Sequence, residues 1–180
     1  MPRLFHFSED PTIARFVPRP VVVPAERAPG MDWLNGPLVW AIEADWQAMY
    51  VFPRDCPRIV LRPLPTTTAE DLAAWFPPGS ARMIVHVEAA WLSRLRTTPI
   101  HRYELPDDQF ESLRDAGMWV SRDPAEPLGM ETLTDLPAAL AADGVELRVM
   151  PDLLPLKGVW QTSLHASGVR LRNAQGWMAA

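Results

Sequence analysis

Apolar residues in this chain come in short runs broken by prolines and charges, and none sustains a helical stripe over many turns. LFHF reads as a first strand, with Ser8 capping the turn DPTIARF and Pro11 placed in its first helical turn. VPAERAPGMDWLNG holds too many turn formers for a regular element and reads as a surface loop. PLVWAIE reads as a strand, and Asp45 caps a short helix over WQAMYVF. RIVLR, ARMIVHVEA, PIHRYELP, MWVSR, PLGMETL and VELRVM are further strand candidates.

Helical signals are brief. TTTAEDLAAWF opens with a capping box of Thr68 and Asp71, AWLSRLRT is a short helix, and TDLPAALAADG ends at Gly144. DDQFESLRDAG reads as an amphipathic helix stopped by Gly117, and the last thirty residues as one helix and an irregular tail. Uneven strands interleaved with short helices predict an α+β fold rather than a doubly wound sheet or a bundle. The expected organisation is one domain over residues 1–180, with about 166–180 a tail packing back on it.

Composition narrows the classes. Hydrophobic residues make up 48% of the chain, too many for a disordered one, and no apolar run is long enough to span a bilayer. MPRLFHFSED lacks the basic-then-apolar order of a secretion signal, and the single Cys56 cannot form an internal disulfide. A cytoplasmic setting is the expectation. A net charge of −5 argues against general DNA binding or an anionic membrane surface. Lys157 is the sole lysine among 17 basic residues, so nearly every cation carries the planar fork that suits phosphate and carboxylate.

Few catalytic patterns survive inspection. His6, His86, His101 and His165 are scattered without metal-ligand spacing, so no metal is expected. No serine elbow and no phosphate-cradling glycine loop occurs. Cys56 lies between Arg54 and Arg58 in PRDCPR, where converging cations would lower its pKa; a buried structural cysteine is the plainer reading. Trp40 and Trp119 sit in strands beside turn-rich segments, where an aromatic stacks on a flat ring or simply packs. SLHASGVRLRNAQGW crowds Ser163, His165, Ser167, Arg170, Arg172 and Asn173 together, more hydrogen-bonding groups than a frayed tail needs.

Three segments together resemble the ADP-ribosyltransferase-like superfamily, the split-sheet domain of bacterial toxins and poly(ADP-ribose) polymerases. They are LFHFSEDPTIARFVPR, PLVWAIEADWQAMYVF and AGMWVSRDPAEPL. The resemblance implies a split β-sheet with short helices and a cleft for NAD or a related nucleotide. His6 and Ser8 would hold a ribose, and Trp40 and Tyr50 would flank a ring, with Trp119 also a binding candidate. Arg54, with Arg170 or Arg172, would meet phosphates, and Tyr50, Arg54 and His165 are the catalytic candidates. Met118 stands where the transferase glutamate belongs, so transfer to a phosphate or nucleic-acid end, as in RNA 2′-phosphotransferases, suits the chain better. A protein or RNA acceptor is implied, and the alternative is a catalytically inactive ligand-binding or protein-interaction module. The whole chain also resembles uncharacterised small bacterial proteins with LFHFSED, PRDCPR and SGxRLRNAQGW-like motifs.

Overall fold

A computed structural model describes residues 2–179 and shows an α+β fold built from short helices and two sheets. In chain order the strands are β1 (Leu4–Ser8), β2 (Val39–Glu43), β3 (Arg58–Arg62), β4 (Met83–Glu88), β5 (Ile100–Leu105), β6 (Glu111–Ser112), β7 (Met118–Ser121), β8 (Gly129–Leu133), β9 (Val145–Met150) and β10 (His165–Val169). The α-helices are α1 (Ala69–Trp75), α2 (Leu92–Thr97) and α3 (Leu136–Ala142). The described residues form two compact units, one from those up to Gln47 with Ile100–Thr132, the other from Ala48–Pro99 with those from Leu133 onward.

The first unit holds a six-stranded sheet in the order β6-β7-β2-β1-β5-β8. β1 lies antiparallel to both β2 and β5, with Leu4 opposite Glu43 on one side and Leu105 on the other. One face of β1, β2 and β5 buries Leu4, Val39, Ala41, Tyr103 and Leu105 around Phe16. Tyr103 is 2% exposed, and its hydroxyl donates to the Asp10 carbonyl at 2.7 Å, pinning the turn after β1 to this core. The other face carries charge. Arg3 and Arg102 each lie 5.0 Å from the Phe5 ring centroid, and Glu104 and Glu131 pair with them.

Two expectations fail in this unit. Ser8 does cap the turn, its Oγ accepting from the Asp10 backbone N–H at 3.1 Å, but the helical turn expected to hold Pro11 does not form. The amphipathic helix expected over Asp107–Gly117 is a hairpin, in which β6 pairs with β7. Only Phe110 is buried on that segment, so the helical stripe has too little apolar area to compete with backbone pairing along β7. Gly117 is left-handed (φ +68°), and a Cβ there would overlap the Trp46 ring.

The second unit holds a four-stranded sheet, β10-β3-β4-β9, antiparallel except for the parallel β4–β9 pair. All six residues of β4 are buried, as expected of a central strand covered on both faces. One face packs Ile59, Leu61 and Ile84 against Leu153 and against Leu156 and Val159 of the 3-10 stretch Leu154–Gln161 that follows it. The capping box expected at α1 forms in half: Thr68 Oγ1 accepts from Asp71 N at 3.2 Å, but Thr68 N–H donates to Ser163 Oγ at 2.8 Å. α3 is capped by Asp135 Oδ1, which accepts from Ala138 N at 3.0 Å. The expected irregular ending is corrected, because His165–Val169 forms β10, paired residue by residue with β3. HASGV is too weakly apolar to signal a strand alone, and the exposed edge of β3 supplies its partner.

His86 projects from β4 with 3% exposure, and its Nδ1 is buried without a hydrogen-bond partner. Burial, then Arg148 on β9, push its pKa down to about 4. The unfolded chain binds a proton below about pH 6.5, while folded His86 stays neutral until about pH 4. Stability therefore falls as pH drops through that window. Urea unfolding at pH 7 and pH 5 will show a loss of about 2 kcal/mol, absent in His86→Leu, beyond the carboxylate background. Equal pH dependence in the two proteins would refute this assignment. Gly117→Ala will cost about 2–4 kcal/mol, from left-handed strain plus displacement of the Trp46 ring, read as a lower urea midpoint.

Candidate functional site

The residues singled out in the sequence divide between the two units. His6, Ser8, Trp40 and Trp119 belong to the first, and Tyr50, Arg54, His165, Arg170 and Arg172 to the second.

In the first unit His6 and Trp40 do meet, through the backbone. The β1–β2 pairing covers Leu4↔Glu43 and Phe5↔Ile42, and His6 Nδ1 then donates to the Trp40 carbonyl at 2.8 Å. The imidazole thus stands in for a ladder hydrogen bond where the strands diverge. Phe16 packs on its ring at 4.6 Å. Trp40 pairs with Val120 and Ala41 with Trp119, so the two tryptophans project to opposite faces of the sheet and cannot flank one ring. Trp119 Nε1 donates to Glu43 at 2.6 Å, and Arg27 lies 5.8 Å from the Trp40 ring. A cavity of about 320 Å³ opens beside β6 and β7, lined by Phe110, Val120 and charged residues, and no candidate residue lines it.

In the second unit the two arginine-bearing motifs meet. PRDCPR leads into β3, VRLRN leaves the end of β10, and the antiparallel register sets Val169 opposite Arg58. Arg170 Nε donates to the Arg54 carbonyl at 3.1 Å, and Asn173 Nδ2 to the Asp55 carbonyl at 2.8 Å. Beneath them Arg58 is 3% exposed; it donates to the carbonyls of Met49 at 2.6 Å and Cys56 at 2.8 Å. Its guanidinium lies 4.9 Å from the Phe52 ring centroid and 5.8 Å from that of Tyr50. Among the described residues no carboxylate forms an ion pair with Arg58, Arg170 or Arg172.

His165 is not part of this cluster. It begins β10 opposite Arg62, whereas Arg170 follows its end. Four strand residues at about 3.3 Å each separate the two ends of β10 by roughly 13 Å. Ser163 is also accounted for elsewhere, since its N–H and hydroxyl donate to Asp71 at the cap of α1.

Electrostatics divides the cluster into a buried and an open part. Burial lowers the Arg58 pKa to about 10, so the group stays cationic at neutral pH. Burial also raises the Cys56 thiol to about 11, against smaller opposing effects of Arg58 and Arg94. The neighbouring cations do not activate this thiol. Arg170 is shifted down by burial first, then by Arg172 and Arg54. The sequence reading missed Arg58 as a site residue, and it missed Glu88, a 3% exposed carboxylate accepting from Gln175 N at 2.8 Å. A charged residue closing the apolar-rich run MIVHVE was the available signal. Among the described residues no group of His, Cys, Asp and Glu is arranged to hold a metal ion, and no helix is long and apolar enough to cross a membrane.

The chain belongs to a family of unknown function, DUF6886, whose model matches residues 5–174. The match takes in both motifs up to Ala174. No curated protein and no solved structure matches the chain.

The Cys56 assignment is checked with a thiol reagent at pH 8. The native protein will react at least a hundredfold more slowly than the urea-unfolded chain, because both burial and the raised pKa withhold the thiolate. Comparable rates would mean an accessible, activated cysteine.

Proposed function

We propose that this DUF6886 member binds a phosphate-bearing nucleotide, NAD foremost, through the arginine cluster at one end of the four-stranded sheet. The observation that carries the reading is the convergence of Arg54, Arg58, Arg170 and Arg172 with no carboxylate paired to the last three. Like charges brought together at a folding cost are balanced by a polyanion, and Arg–phosphate bonds are charge-assisted and geometrically specific.

The roles of His6, Ser8, Trp40 and Trp119 toward ribose and ring rest on the resemblance to ADP-ribosyltransferase-like proteins. So do the split-sheet assignment and the catalytic roles of Tyr50, Arg54 and His165. If a reaction follows binding, transfer from NAD to a phosphate or RNA end fits a chain with methionine at position 118. The second reading, a non-catalytic binding module, is favoured by the same residue: Met118 pairs with Ile42 in β7 and offers no acid.

Thermal unfolding with NAD, ADP-ribose and ATP tests the proposal. A ligand at about a hundred times its Kd adds roughly 2.7 kcal/mol, a midpoint rise of about 5–10 °C. Arg172→Glu will abolish the rise, since the substituted group is exposed and makes no bond that the fold requires. No rise with any of the three at millimolar concentration would exclude the nucleotide reading.

A further inference from the structure

Arg170 occupies an unfavourable position in two respects. Its backbone is left-handed, φ +56° and ψ 27°, a conformation in which the Cβ of any residue but glycine crowds the carbonyl. Its guanidinium is also part-buried and repelled by the charges of Arg172 and Arg54, with Asp55 the weaker compensating charge. The turn carries the chain from β10 into the 3-10 turn Leu171–Asn173 and sets the side chain over PRDCPR. Only Nε is used there. Among the described residues neither Nη group of Arg170 makes a hydrogen bond, and Arg172 makes none at all.

The aromatic groups of the cluster are engaged differently. Tyr50 and Phe52 hold the Arg58 guanidinium, so their rings serve a buried cation. Those two rings are thereby engaged, and what Arg170 itself offers is charge and planar N–H donors.

We infer that the cluster is a pyrophosphate-class site that reads the phosphate groups of its ligand and not its base, with Arg170 held in a strained backbone to present its free donors. The inference rests on the nucleotide reading above and narrows it to one chemical feature. Strain of this kind persists where the surrounding structure enforces it, and it collects at ligand sites.

The test uses inorganic pyrophosphate and adenosine as probes on the full chain, by calorimetry at low salt, with thermal unfolding of each variant. Pyrophosphate will bind and weaken as salt rises, and adenosine will not bind. Arg170→Gly and Arg170→Ala will each bind pyrophosphate at least tenfold more weakly, while Arg15→Ala, at an exposed residue of the other unit, will match the parent. Arg170→Gly will also melt about 2–4 °C above Arg170→Ala, because glycine takes the left-handed turn without a Cβ clash. Unchanged pyrophosphate binding by Arg170→Gly would overturn the inference and leave the nucleotide reading intact. So would tight adenosine binding, or a nucleotide response in the parent without any pyrophosphate response. Equal melting of the two Arg170 variants would overturn the strain argument, and loss of both pyrophosphate and nucleotide responses would remove the site altogether.

Discussion

A buried guanidinium shapes the second unit more than any apolar contact does. Arg58 enters β3 from a position with almost no solvent, and its charge persists there at neutral pH. An ion in such a place has to be met by polar groups, or the fold gives up several kcal/mol. Here the groups are main-chain carbonyls, Met49 on one side and Cys56 on the other, with the rings of Tyr50 and Phe52 against the flat cation. The chain from Met49 to Cys56 must therefore curl around Arg58. Pro53 and Pro57 stiffen that curl, and the Arg54 and Asp55 carbonyls are left where Arg170 and Asn173 reach them. Lysine could not substitute, because one ammonium cannot span both carbonyls and lie flat on the rings.

The same logic of satisfied backbone groups governs the first unit on a smaller scale. His6, Ser8 and Tyr103 each give a polar atom to the main chain around β1, at Trp40, Asp10 and the turn that follows. Their side chains complete the sheet where its ladder stops. Ligand chemistry at these residues would have to use atoms that the fold has not already engaged.

RIVLR and MIVHVE were readable because a buried strand writes its burial directly into residue type, and VELRVM because apolar and polar residues alternate along a part-buried one. The capped helices at Thr68 and Asp135 were readable for an equally local reason, a side-chain oxygen next to an orphan N–H. His165–Val169 was not, since it becomes a strand only through β3, far back in the chain. Nor was Asp107–Gly117, since its spacing of apolar residues imitates a helix while its pairing is a local hairpin with β7. Of the candidate site, the polar density at Arg170 and Arg172 pointed to the right segment. The grouping around it was beyond a linear reading: strand rise removes His165 to the far end of β10, and pleating sends Trp40 and Trp119 to opposite faces. Arg58 was hidden because a cation beginning an apolar strand usually marks a solvated end.

The first unit is sewn from two distant stretches of chain, and β1 sits between partners that arrive at very different times. Leu4 finds Glu43 early in synthesis but waits for Leu105 until the intervening residues, which include all of the other unit's first segment, have been made. For that interval the edge of β1 facing β5 is an open template of the kind that invites wrong pairing. Non-local strand pairing of this sort slows folding, because loop closure must precede the contacts that reward it. Of the charged face around Phe5 only Arg3 is present while β1 waits; Arg102, Glu104 and Glu131 come with β5 and the chain after it, so the pairing that fills the open edge also completes the charged face.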